Sequence, residues 1–132
     1  MPALIKGDNM APEKDIAIAF LTLCAKGQAR TAFERYTDHN FIHHNPYFAG
    51  NGPALAAGMD DNARQFPDKK CEILRAIAED DLVAVHSKVT LHRGEKGIAV
   101  VHIFRFSAGK IVELWDIGQA VPDNQANEQE MF

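Results

Sequence analysis

Apolar residues recur at helical spacing in the first half of the chain and alternate with polar ones in the second. Ile16, Phe20, Leu23 and Cys24 form one stripe, introduced by Pro12 at a first-turn position and stopped by Gly27. Glu13 and Asp15 suit the positive start of that helix. A shorter helix follows from about Gln28 to Tyr36, with Ala29, Ala32, Phe33 and Tyr36 on one side. Phe41 to His44 reads as a brief strand ended by the turn pair Asn45-Pro46. After Gly50-Asn51-Gly52, Pro53 opens a third helix with Leu55, Met59, Ala63 and Phe66 on one face, closed by Pro67. Four strands are then expected, Cys71 to Ala78, Leu82 to His92, Ile98 to Phe106 and Lys110 to Gly118, separated by short polar or glycine-bearing turns.

Three helices followed by a four-strand meander is an α+β order rather than βαβ. The helices must cover one face of a curved antiparallel sheet, and a sheet closed in this way leaves a concavity where a pocket is expected. No repeat or linker divides the 132 residues, so one domain is predicted, with a core over about residues 12–121 and a polar tail over 122–132. The first ten residues and the tail lack apolar periodicity and are expected to be loose.

The strand pattern makes the last hairpin readable at the level of register. If Ser107-Ala108-Gly109 forms a three-residue loop, Phe106 pairs with Lys110, His102 lies opposite Leu114 and Val100 opposite Asp116. One face then holds Val100, His102, Phe104, Phe106, Val112, Leu114 and Asp116; the other holds Val101, Ile103, Arg105, Ile111, Glu113, Trp115 and Ile117. His102 and Asp116 become diagonal neighbours, roughly 7–8 Å apart at the backbone, in an otherwise apolar wall. Burial would raise the pKa of the acid and lower that of the base, while mutual contact would oppose both, so the pair can serve proton transfer near neutral pH. The alternative is a structural hydrogen bond that locks the two strands. A two-residue loop would shift the register by one and part the two residues.

Composition adds histidine as the unusual residue, six in a chain with one Trp and two Tyr. His43 and His44 must point to opposite faces of their strand, which makes His44 with Asn45 a candidate donor and acceptor pair at the pocket rim, or merely part of an exposed turn. If the loop Gly94-Glu95-Lys96 pairs Arg93 with Gly97, His86 opposes Phe104 and also faces inward. Phe20, Met59, Phe104 and Leu114 are core positions that double as candidate apolar lining for a substrate. No HxH, HxxxH or HExxH spacing occurs, so no metal is expected; a three-ligand site from His44, His86 and His102 is the remote alternative. Cys24 and Cys71 form no CxxC and are expected as buried thiols of a reducing compartment.

A net charge of −4, from 14 Lys+Arg against 18 Asp+Glu and without a basic cluster, argues against a nucleic-acid partner. No apolar run approaches the ~20 residues of a membrane span, and the first residues lack a basic start followed by an apolar stretch, so no membrane partner and a cytoplasmic location are expected. The outer sheet face, with Val101, Ile103, Trp115 and Ile117, is too apolar to be left in water and predicts a homodimer.

The segment Ala99-Val100-Val101-His102-Ile103-Phe104-Arg105-Phe106, followed by Gly109-Lys110-Ile111-Val112-Glu113-Leu114-Trp115-Asp116-Ile117-Gly118-Gln119, resembles the end of SnoaL-like proteins, the polyketide-cyclase branch of the nuclear transport factor 2 fold group. The His44-Asn45-Pro46 turn and the helix at Pro53 resemble the preceding section, and the likeness runs over about residues 12 to 121. The resemblance implies a cone-shaped α+β barrel: three helices on a strongly bent, mixed and mostly antiparallel sheet around a cavity, commonly paired through the sheet's outer face. It also implies Asp116 as general acid/base, with His102 on the neighbouring strand, for an aldol-type or isomerase-type reaction of a small apolar or carbonyl-containing molecule. No cofactor is implied. Many relatives carry Asp where this chain has His102 and His where it has Leu114, which puts the substrate in question. A non-catalytic small-molecule binding domain is the alternative, because fold does not fix function.

Overall fold

The computed structural model describes residues 12–132, so the expectation for the first ten residues lies outside the described part. The elements run α1 (Glu13–Ala25), α2 (Ala29–Tyr36), β1 (Thr37–His43), α3 (Gly52–Gln65), β2 (Lys70–Glu79), β3 (Leu82–Thr90), β4 (Ile98–Ser107) and β5 (Lys110–Ala120). Pro12 sits just before the first turn of α1, and its carbonyl accepts from the Asp15 N–H at 2.9 Å. Asn51 caps α3, its side-chain oxygen accepting from the Ala54 N–H at 2.9 Å. Asp60 on α3 reaches back to the start of α2, its Oδ1 accepting from the Ala29 N–H at 2.8 Å, and so ties the second helix to the third.

The sheet order is β1-β5-β4-β3-β2. β2 to β5 form an antiparallel meander, and β1 adds to β5 in parallel. The sheet is mixed and open, since its two edge strands do not meet. Bulges at Leu74 on β2 and at Val112 on β5 bend it, as an extra residue in one strand does. The helices lie against one face through a fully buried aromatic stack: Phe20 meets Phe33 at 5.0 Å and Phe104 at 5.8 Å, edge-on to the latter, and Phe33 meets Phe41 at 5.3 Å. Gly52 lies against this stack, where a Cβ would sit 3.4 Å from both the Phe33 and Phe41 rings, at the near edge of ordinary contact.

Residues 122–132 contain no helix or strand, yet they return to the sheet: Lys88 Nζ lies 4.9 Å from the centre of the Phe132 ring. Cys24 is buried and Cys71 half-buried, both as free thiols, and burial pushes the Cys24 thiol up to about 12. Among the described residues no helix is long and apolar enough to cross a membrane.

Candidate active site

The β4–β5 turn decides where the chemistry faces. Ser107 pairs with Lys110, so the loop has two residues, Ala108 and Gly109, both with positive φ, rather than three. That alone would turn Asp116 away from His102. A bulge at Val112 adds one more residue to β5 before Glu113 pairs with Arg105, and the two shifts cancel in parity. His102 therefore stands directly opposite Asp116 instead of diagonal to it, and Phe104 opposite Leu114. The compensation exchanges one expected pair: Ile111, placed on the outer face by the three-residue loop, is fully buried, while Val112 is only half-buried.

His102 and Asp116 line a cavity of about 250 Å³ with Asn45, Phe48, Leu55, Gly58, Met59, Asn62, Lys69, Val89 and Val100. Among the described residues no hydrogen bond or ion pair joins His102 to Asp116; the carboxylate is held by Asn45, whose Nδ2 donates to Asp116 Oδ2 at 3.0 Å. The orientation of that amide follows from its other end, where Oδ1 accepts from the Tyr47 N–H at 2.9 Å. Behind it stands His43, inward-facing and buried. Its Nδ1 accepts from the Asn45 N–H at 3.1 Å, so the ring hydrogen sits on Nε2 and is donated to the Ala49 carbonyl at 2.6 Å. Position 43, not 44, is thus the inward histidine and the one that shapes the site.

His102 is 8% exposed, and burial, opposed by the nearby Asp116 and aided by Lys69, lowers its pKa to about 4. The imidazole is neutral at neutral pH. Its Nδ1 is buried without a partner. A buried N–H left unpaired is rarer and more costly than an unpaired acceptor, which puts the single ring hydrogen on Nε2.

Several expected lining residues stand elsewhere. His44 lies on the outer face, where its Nε2 meets Glu113 Oε2 at 2.6 Å and its ring stacks on Trp115 at 4.9 Å. Arg105 grips the other oxygen of Glu113 at 2.8 Å, and these two partners hold the Glu113 carboxyl below its usual range. His86 also faces outward, against Arg75, because Val89 pairs with Ile98 across a longer loop than expected, which turns Val83, Val85 and Ser87 inward. Phe20, Phe104 and Leu114 are sealed in the core, since α1 packs straight onto the sheet there; Asn45 and Met59 do line the cavity. Among the described residues no group of three metal-ligating side chains comes together, and His44, His86 and His102 are split between the two faces.

Lys69, Asn62 and Phe48 were not singled out by sequence pattern. Lys69 stands in the turn after α3, where its N–H donates to the Phe66 carbonyl at 3.0 Å, and its Nζ donates to Asn62 Oδ1 at 2.7 Å. A second, larger groove of about 860 Å³ lies between α2, β1 and α3, with Arg30, Asp38, Asp60 and Arg64 on its walls. It contains neither His102 nor Asp116, and Asp60 there is committed to capping α2.

The SnoaL-like domain family matches residues 17–114. Similar solved structures include AclR of Streptomyces galilaeus, described as a proposed hydroxylase, with 23% identity and a TM-score of 0.68 over 84% of this chain and 91% of that one. A proposed polyketide cyclase of Sinorhizobium meliloti has 14% identity and a TM-score of 0.65 over 81% and 95% of the two chains. A proposed isomerase of the SnoaL-like family from Agrobacterium tumefaciens has 9% identity and a TM-score of 0.69 over 82% and 98%. At these identities the likeness shows the fold alone. No curated protein sequence matches the chain.

Proposed function

This chain belongs to the SnoaL-like domain family, and from that premise we propose that its cavity is the active site of a cofactor-independent enzyme performing acid/base chemistry on a small carbonyl compound. One observation carries the reading: an acid and a base stand as direct cross-strand partners in one cavity without bonding to each other. In this reading a substrate is engaged by both groups at once.

Asp116 is the general base in this reading. Asn45 occupies Oδ2, which leaves Oδ1 to take a proton from the carbon next to a carbonyl. The electron pair moves onto the carbonyl oxygen, and the Nε2–H of neutral His102 donates to that oxygen as its charge grows. In an aldol step the enolate carbon attacks a second carbonyl, and the alkoxide so formed takes back the proton held by Asp116. In an isomerisation the same proton returns to a different carbon. His43 acts through Asn45 as a positioning residue. The exposed Ile77, Ile117 and Ile42 on the outer face support a homodimer through that face.

The test is deuterium exchange into hexane-2,5-dione, followed by NMR. The native protein is expected to accelerate exchange, and Asp116→Asn to lower the rate about 10²-fold or more, with ligand affinity and melting temperature nearly unchanged. His102→Gln is expected to cost less, since it leaves the base in place. Binding without any exchange by the native protein would instead support a non-catalytic binding domain.

A further inference from the structure

We infer that Lys69 and Asn62 form an anion-binding end of the cavity, so that the substrate is a small oxo acid with its carbonyl at Asp116 and His102 and its carboxylate at Lys69. The inference rests on the proposed carbonyl chemistry for the position of the ketone, and on separate residues for the charge.

Lys69 lines the same cavity as His102 and Asp116, on the α3–β2 turn rather than on the sheet. Its side chain is half-buried, yet its bonded partner is the neutral oxygen of Asn62, and among the described residues no carboxylate lies within ion-pair distance of its Nζ. The neighbouring Lys70 shows the contrast: it points to solvent and pairs with Glu72 at 3.8 Å. A desolvated ammonium without a counter-charge is unfavourable, and burial lowers the Lys69 pKa accordingly. A ligand carboxylate would relieve that cost.

The donors suit such a group. One of the three Nζ hydrogens is used on Asn62 Oδ1, which leaves two, and because Oδ1 accepts, the Asn62 Nδ2 remains a donor beside them. Adjacent donors match the two oxygens of a carboxylate. Between the ends, Leu55, Met59, Val89 and Val100 supply an apolar middle. The volume, about 250 Å³, equals roughly eight waters at ~30 Å³ each. It is large enough for a short-chain oxo acid.

The experiment compares 4-oxopentanoate with hexane-2,5-dione, which has the same shape but replaces the carboxylate by an acetyl group. Affinities are read by NMR titration of the native protein and of Lys69→Met, with circular dichroism to confirm folding. The native protein is expected to bind 4-oxopentanoate at least 10-fold more tightly, Lys69→Met to lose that preference while keeping its affinity for the dione, and Lys69→Arg to retain it. Should Lys69→Met not fold, Asn62→Leu takes its place and is expected to reduce the preference in the same direction. Equal affinities in the native protein, equal weakening of both ligands by the variant, no binding of either, or a borohydride-trapped adduct on Lys69 would each overturn the inference. Asp116→Asn separates the two readings: the preference for the carboxylate persists in it even where deuterium exchange is lost.

Discussion

His102 and Asp116 face each other across adjacent antiparallel strands, and each looks past the other: the carboxylate is held by Asn45 from β1's end, while the imidazole stacks on Phe104 at 6.2 Å. Three strands therefore converge on one acid/base pair, and the parallel β1–β5 pairing, His43 against Leu114, brings Asn45 within reach. The pair is set by register and the carboxylate's orientation by the Asn45 turn, so the two can be perturbed separately.

Burial of neutral His102 makes folding sensitive to acid. Its pKa is about 4 in the folded protein against an ordinary 6.5, so between these values the unfolded chain takes up a proton that the native one refuses. Stability from this group is fully present above about pH 6.5 and declines as pH falls toward 4, by on the order of 3 kcal/mol in all. Urea unfolding at several pH values is expected to show the loss, and His102→Gln to flatten it within that window. An imidazole NMR titration with its midpoint between 6 and 7 would contradict the expectation.

Val112 is the extra residue that restores parity, and two deletions test this. Removing Val112 leaves a two-residue turn followed by a regular ladder in which Ile111, Leu114 and Asp116 still face inward. That variant is expected to fold, less stable by about 1–3 kcal/mol through lost packing and bending, with exchange activity retained in part. Deleting Trp115 instead turns Asp116 to the outer face. Exchange is expected to vanish in the second variant and survive in the first, read by the same deuterium assay.

The inward face of β4 was legible because alternation of apolar residues survives any even shift of register, and the turn and bulge together produce one. Ile111 and Val112 were not legible, since nothing in their side chains marks a bulge. His86 was misplaced for the same physical reason with the opposite outcome: the β3–β4 connection differs by an odd count, and no bulge corrects it. Loop length, not composition, sets that parity. Lys69 was hidden because a single lysine after Phe66-Pro67-Asp68 has no period, and only the packing of α3 over the sheet turns it toward the cavity. His43 and His44 were separable by alternation alone, but which one faced inward depended on the pairing of β1 with β5.

The outer face offers a test of association. Ile77 on β2 is 65% and Ile117 on β5 62% exposed, both on the face that carries the ring of Trp115 stacked on His44. Apolar side chains this exposed on a sheet face are expected to be covered by a second copy of the chain. Light scattering at micromolar concentration is expected to give the mass of a dimer, and Ile117→Lys to give a monomer with its cavity intact. A monomeric native protein would refute the dimer.

Phe48 forms one wall of the cavity mouth and rests on α3 where Gly58 has no side chain; a Cβ at position 58 would overlap its ring. Because Phe48 is 40% exposed, its ring can swing outward, so Gly58→Ala is expected to fold. Two effects then oppose each other. Alanine improves the helix by up to about 1 kcal/mol over glycine, and displacing the ring loses contact of similar size. The net change in stability is expected to be small, whereas Gly58→Ala in a Phe48→Ala background is expected to stabilise by about 1 kcal/mol, because no ring remains to displace. Such a double-mutant cycle reads the contact directly. Ligand affinity should fall in Gly58→Ala and in Phe48→Ala by comparable factors, since each opens the same wall, and the two losses should not add. Additive losses would mean that Gly58 and Phe48 act on the cavity independently.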